Sequence, residues 1–307
     1  MIAWILVQQI TVLFMIIGSG FLLVKRGILS IEASKSFSMA IIYLINPCTI
    51  IYAFQIDYKD SIRDGVLLAF GVAIIIHLLL FLLCYIFSKF LHFDVVEKNS
   101  LLYSNAGNLI IPLVIGVLGS EWVIYTSAYI CTQNILLWTH CQAVMKGELR
   151  FEWKKIFGNI NMLSIFFGMC LFFLGLKLPA LPMQAIKMLA VMIGPMSMLI
   201  LGILLGTVQW NKIFMNKRIY MIALLKMVIF PMVILCFLKY AGLAKLVVNG
   251  STILMVSLLA ASAPSASMVT QLAQIYNRNS QYASAINVLT TLCCIVSMPL
   301  MIMLYEL

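Results

Sequence analysis

Two short stretches of this 307-residue chain set polar and helix-breaking residues inside otherwise apolar runs. Residues 104–112 (SNAGNLIIP) bring together Asn105, Gly107, Asn108 and Pro112, and residues 260–267 (AASAPSAS) bring together Ser262, Pro264 and Ser265. Pro112 lacks a backbone N–H and clashes with the turn before it, and Gly107 loosens the chain. Backbone carbonyls are thereby freed that Asn105 and Asn108, or a ligand, must satisfy. In the second stretch the small residues let another backbone approach, and Pro264 suits the first position of a new half-helix with Ser262 nearby as its cap. If both helices break near mid-membrane and cross, two half-helix N-termini turn unpaired N–H groups into one pocket, which then prefers an anion. A proline that merely kinks a helix for packing is the plainer reading of either break alone. The matched pair flanked by polar residues favours the pocket.

Other polar residues fall in line with these breaks. Gln133 and Asn134 precede the centre of the chain much as Asn287 and Thr290 precede its end, and amides in hydrocarbon need partners, whether a neighbouring helix or a ligand. Asn46, beside Pro47, faces the same pocket from another helix. Two ionisable residues lie deep in apolar runs: His77 and Lys226. Lys226 is nine residues beyond Lys217, roughly 13 Å along a helix. Placing an ammonium there costs about 2.5–3.5 kcal/mol, so it must find a carbonyl, a water-filled cavity or an anion. His140 reads as an interfacial residue rather than a proton carrier. No Asp or Glu lies mid-run, so any ion coupling must use His77, backbone carbonyls or the charge of a substrate. The eight cysteines all fall in apolar runs without CxxC spacing, which suits packing rather than a metal or disulfide framework. No metal site, cofactor or catalytic constellation is indicated, so the chain does not read as an enzyme.

The elements that position these residues follow from composition. With 64% hydrophobic residues, 10% charged and a mean hydropathy of +1.09, the chain cannot cover a soluble globule with polar surface. Apolar runs of roughly 18–25 residues match the length of a membrane-crossing helix, and they lack the alternation of barrel strands. Spans are expected at 3–24, 33–54, 65–89, 98–118, 121–144, 157–176, 184–207, 217–239, 247–275 and 282–304. The fold class is thus an all-α membrane protein of ten transmembrane helices, with broken helices four and nine crossing. The first run is followed by Lys25 and Arg26 rather than a cleavage site and reads as a retained helix.

The connection at 145–156 divides the chain into 1–150 and 151–307, five helices each, and an odd number per half inverts the second half. Breaker spacing agrees: Pro47 and Pro112 are 65 residues apart, Pro195 and Pro264 are 69 apart, His77 lies 30 beyond Pro47, and Lys226 lies 31 beyond Pro195. Of the twenty Lys and Arg, thirteen lie on connections after odd-numbered helices and six after even-numbered ones. The odd connections are therefore expected to be cytoplasmic, with both termini extracytoplasmic in the cell membrane. The net charge of +10 is accounted for by this asymmetry and by contact with anionic lipid, not by nucleic acid. Gly202 and Gly206 form a GxxxG that suits close packing within a protomer or between two.

These residues resemble the auxin efflux carrier family, which includes plant auxin carriers and bacterial permeases for malate- and malonate-like acids. Asn105, Gly107, Ile111, Pro112 and Leu113 are similar to its fourth-helix segment. Pro264, Ala273, Tyr276, Ala283, Ser284, Thr290, Pro299 and Leu300 are similar to its second crossover and last helix. The resemblance implies a ten-helix inverted repeat with a scaffold (helices one, two, six and seven) and a transport part (three to five, eight to ten). It further implies dimerisation through the scaffold, elevator-like movement, and a small organic anion as substrate. The short connection at 145–156 leaves no room for the long regulated loop of the plant carriers, and the context of Asn105 differs from theirs. A sodium-coupled carrier of the bile-acid symporter kind and a non-transporting membrane receptor are the alternatives. The topology has a direct check in a protein whose native cysteines are replaced. A cysteine introduced within 145–156 should resist an impermeant thiol reagent added to intact cells, whereas one beside Glu121 should react; the opposite pattern reverses the orientation.

Overall fold

The computed structural model describes every residue except 1, 56, 58, 148–157, 159 and 208–216, and among the described residues all regular structure is helical. The segment expected to divide the chain therefore lies largely outside the described residues. Ahead of it run α1 (Ile2–Lys25), α2 (31–53), α3 (Asp60–Leu91), α4 (Val95–Leu102), α5 (106–117) and α6 (123–146). After it run α7 (Ile160–Phe173), α8 (Ala180–Val191), α9 (Ile193–Thr207), α10 (Lys217–Tyr240), α11 (Gly250–Ala261), α12 (Ser267–Ile275) and α13 (Ser280–Glu306). Among the described residues, five helices are long and apolar enough to cross a membrane: Glu32–Ala53, α3, Ala180–Ile200, α10 and α13. Phe14–Lys25, α7 and α11 are apolar but shorter.

Local chemistry accounts for several boundaries. Asp60 in the first turn of α3 and Lys89 in its last complement the helix dipole, and His92 ends the helix in the left-handed region at φ 50°. A capping box opens α4: the Glu97 N–H donates to Asp94 Oδ1 (2.8 Å) and the Asp94 N–H to Glu97 Oε2 (2.9 Å). Three helices widen into a π turn just ahead of a proline, at Ile41–Ile45 before Pro47, Ala106–Ile110 before Pro112 and Leu225–Ile229 before Pro231. A proline donates no hydrogen bond and crowds the carbonyl four residues back, and the wider turn lets that carbonyl be satisfied otherwise.

The helices pack as two sets. In one, α1 lies along α9, and α2 is flanked by α7 and α8; in the other, α3 packs on α6 and α11, while α10 and α12 pack on α13. In α3 the residues Gly65, Ala69, Val72, Ala73, Ile76 and Leu80 are buried, and Leu67, Ile74, Leu78 and Leu82 are exposed on the opposite face. Connections also pair by set. Lys177 bonds the Gln55 carbonyl (2.9 Å) and Asp57 (3.0 Å), Arg278 Nε donates to the Met145 carbonyl (2.8 Å), and Arg218 Nη2 donates to the His92 carbonyl (2.9 Å).

The GxxxG face is used inside the protomer. A Cβ on Gly202 would lie 2.9 Å from the Gly20 Cα on α1, and one on Gly206 would lie 3.1 Å from the Val24 Cβ. The first contact is backbone against backbone, whereas the second meets a side chain with some freedom. Gly202→Val should therefore destabilise the protein by about 1–3 kcal/mol, as overpacking does. Gly206→Ala should cost less; thermal unfolding in detergent, which should show a clearly lower midpoint for Gly202→Val alone, checks the difference.

Candidate functional site

The fourth and ninth expected spans are each interrupted, and the interruptions meet. α4 stops at Leu102, Tyr103 turns extended at φ −103° and ψ 131°, and helical structure resumes at Ala106. α11 stops at Ala261, and α12 begins at Ser267. The intervening segments run antiparallel, with Ser104 opposite Ser265. The Asn105 N–H donates to the Pro264 carbonyl (2.8 Å), and the Ala266 N–H to the Tyr103 carbonyl (3.0 Å). Water is absent from the bilayer core, so every backbone group released by a broken helix needs a protein partner or a ligand.

Side chains from α6 and α13 supply the remaining partners. Gln133 accepts from the Ser104 N–H and donates to the Ser104 carbonyl, both at 2.8 Å. At the facing residue, Thr290 Oγ1 accepts from the Ser265 N–H (3.2 Å) and Asn287 Nδ2 donates to the Ser265 carbonyl (2.8 Å). Each crossing serine is thus held at both backbone polar groups by amides or hydroxyls of a neighbouring helix. Asn134, half-buried, takes no part in that clamp. The Lys226 ammonium, on the π turn of α10 and only 1% exposed, donates to the Leu101 carbonyl (3.0 Å) and to Ser104 Oγ (2.9 Å). It sits at the C-terminal end of α4, where the helix dipole favours a cation.

Two local expectations are overturned. Pro264 does not open the second half-helix and Ser262 does not cap it: α12 starts three residues later, and Ser262 instead terminates α11, its N–H donating to the Leu258 carbonyl (2.8 Å). Pairing with residues 103–105 requires extended chain through 264–266, so the helix can begin only where the pairing ends. Likewise Pro112 does not mark the break in the fourth span. The chain is interrupted at 103–105, and Pro112 lies in the first turn of the helix Ile111–Val117, beyond the π turn, where its missing N–H is tolerated.

The other expected site residues are distributed around this crossing. Asn105 is 6% exposed, and its side chain makes no capping bond to the helix it precedes. The Asn108 side chain lies outside the described residues. Asn46 is buried on α2, its Nδ2 4.0 Å from where a Gly107 Cβ would stand, and its Oδ1 has no partner. The hydroxyls of Ser262 and Ser265 are likewise buried and unpartnered. His77 is buried on α3, with its Nδ1 2.7 Å from the Ala73 carbonyl. His140 is half-buried: its Nδ1 lies 2.9 Å from the Tyr103 hydroxyl and its ring meets Phe81 edge-on at 4.7 Å.

Sequence reasoning missed a second polar cluster. Glu97, 1% exposed, receives Arg218 through Nε and through Nη2 (2.8 Å), and the Tyr282 hydroxyl at 2.7 Å. An open cavity of about 380 Å³ is lined by these three residues with His92, Asp94 and Asn279. The D-x-x-E spacing of Asp94 and Glu97 is a signal of a helix start, but nothing in the sequence joins them to residues more than a hundred positions away. Ser104 was also missed as the residue on which the crossing centres.

Helices long and apolar enough to span a bilayer, with polar backbone buried among them, are those of a multi-pass membrane protein. The "Membrane transport protein" family model matches residues 5–150 and 146–302, so the chain belongs to that family, the one that comprises the auxin efflux carriers. Its members are transporters rather than enzymes. No curated protein matches the chain.

The clamp gives a contrast between adjacent residues. Gln133→Ala strands a buried N–H and a buried carbonyl, each worth about 1–3 kcal/mol, and should lower the unfolding midpoint. Asn134→Ala should leave stability within about 0.5 kcal/mol of the parent. Equal midpoints for the two variants in detergent would contradict the assigned clamp.

Proposed function

We propose that the protein is a secondary carrier of a small organic anion, a carboxylate or dicarboxylate, whose site is the crossing of the two interrupted helices. The observation that supports this most is the crossing itself. The N-terminal ends of α5 and α12 start beside it, at Ala106 and Ser267, while the hydroxyls of Ser262 and Ser265 remain buried without partners. Helix N-termini and free donors in a low-dielectric site favour a carboxylate. No Asp or Glu occurs in the two crossing stretches, so a sodium ion finds no anionic ligand there, and Lys226 already contributes a positive charge. That balance of charge favours the anion carrier over the sodium-coupled alternative.

Asn105, Asn108 and the backbone after the break would hold the carboxylate from one half, and Ser262 and Ser265 from the other. Pro112 and Pro264 would shape the two segments, Gln133, Asn287 and Thr290 would keep them in place, and Asn46 would close the pocket from α2. In this reading ten spans form two inverted five-helix repeats. The set α1, α2 and α7–α9 is a scaffold that pairs with a second copy, and α3–α6 with α10–α13 is an elevator carrying the site across the cell membrane. The seam between them runs past Pro112, whose Cβ lies 3.3 Å from the position of a Cβ on Gly194. A small residue at that seam suits sliding contact.

The reading is tested by thermal unfolding of the purified protein with a panel of carboxylates, followed by uptake into proteoliposomes. A carboxylate present at 100 times its dissociation constant should add about 2.7 kcal/mol of stability. Asn105→Ala should fold and lose both this response and uptake. Full uptake by a well-folded Asn105→Ala protein would place the site elsewhere.

A further inference from the structure

His77 stands at the middle of α3 and is 3% exposed. Its Nδ1 is 2.7 Å from the Ala73 carbonyl, one turn back. A carbonyl can only accept, so the ring hydrogen is on Nδ1 and Nε2 presents a bare lone pair. That Nε2 is buried and has no hydrogen-bond partner. A buried acceptor without a donor calls for an explanation in a folded protein.

The groups around the ring connect it to the crossing. From α6, Tyr129 lies with its ring 4.8 Å from that of His77, and its hydroxyl, near Ser104, is buried without a hydrogen-bond partner. From α10, Lys226 holds the same Ser104 and is within electrostatic range of His77. α11 contributes no titratable side chain, although the unpartnered Ser262 hydroxyl terminates it. Of the other ionisable groups near α3, His140 bonds Tyr103 and meets Phe81, one turn beyond His77, Tyr125 lies against Gly65 three turns before it, and Lys98 is within electrostatic range of Cys84, two turns beyond. Lys226 and the His77 imidazole therefore flank the crossing, with the His140 imidazole bonded to Tyr103 beside it.

We infer that His77 Nε2 is the proton-binding site of the carrier, and that each anion carried at the crossing is accompanied by a proton on that nitrogen. This rests on the anion-carrier reading. The Nε2 lone pair takes a proton from water on one side of the membrane, giving an imidazolium with hydrogen on both nitrogens, and returns it to water on the other; no other bond changes. An empty site disfavours a second positive charge close to Lys226. A carboxylate between them reverses that preference, and by linkage the proton raises affinity for the anion as much as the anion raises affinity for the proton. The cargo is then one negative charge smaller than the anion alone.

The test uses the purified full chain in proteoliposomes, with radiolabelled malonate, malate and acetate as probes, uptake by protein-free vesicles subtracted, and the membrane potential clamped at zero. Two quantities are measured: exchange at equal pH on both sides, and accumulation with the interior one pH unit more alkaline. The wild type should exchange at least one probe and accumulate it about tenfold, the ratio one coupled proton sustains per pH unit for a monoanion carried with it. His77→Gln and His77→Asn should keep exchange while their accumulation falls to unity. Gradient-driven accumulation that survives in a His77→Gln protein overturns the inference. So does anion entry without proton entry in the wild type, followed with an internal pH dye, a measurement that decides the matter even if neither variant folds. Loss of gradient response with exchange intact in the wild type refutes proton coupling alone, whereas absence of exchange for every probe removes the carrier reading and the coupling with it.

Discussion

The whole arrangement depends on the antiparallel pairing of residues 103–105 with 264–266. Two helices cannot be interrupted inside hydrocarbon unless every released N–H and carbonyl finds a partner, and a lipid supplies none. Here each segment satisfies the other, and Gln133, Thr290 and Asn287 complete what the pairing leaves over. These bonds tie α4–α6 to α11–α13, so the polar centre and the packing of one helix set are a single construction. Remove either segment and the other is left with buried, unpaired backbone.

Charge is arranged around that centre at two depths. Lys226 neutralises the C-terminal end of α4 from within the bundle, bonded to Leu101 and Ser104. At the other end of the same short helix, Glu97 is held by Arg218 and Tyr282 while it caps the backbone of Asp94. A helix of eight residues is too short to be stable in isolation, and both of its ends are held by residues of α10 and α13. Truncating one partner of the Glu97 cluster would leave a buried charge without compensation, which is why such clusters act as fixed points rather than as sources of net stability.

Much of this was legible in the sequence. Hydropathy and run length dictated helices in a bilayer, and polar residues in apolar runs marked 104–112 and 260–267 as places where a helix fails. The positions of Gln133 and Asn134 matched those of Asn287 and Thr290, and of these Gln133, Asn287 and Thr290 hold the crossing while Asn134 does not; His77 and Lys226, set in apolar runs, are buried. Proline was the misleading signal. It marks where a helix cannot donate a bond, and a π turn absorbs that defect ahead of Pro47, Pro112 and Pro231. The interruption falls instead where the opposite segment offers hydrogen bonds, several residues away from Pro112.

By itself, then, the sequence determined that this chain lives in a membrane as helices and that two of them carry polar breaks. Those features are properties of composition and local backbone chemistry, and they do not depend on neighbours. Tertiary structure alone decided which serines face each other, that Lys226 grips a carbonyl of another helix, and that Glu97, Arg218 and Tyr282 converge. It also decided which side of an all-apolar helix such as α3 is core and which meets lipid, because both sides are equally hydrophobic and only packing distinguishes them. The same holds for Gly202, whose approach to Gly20 belongs to the crossing of two helices far apart in the chain.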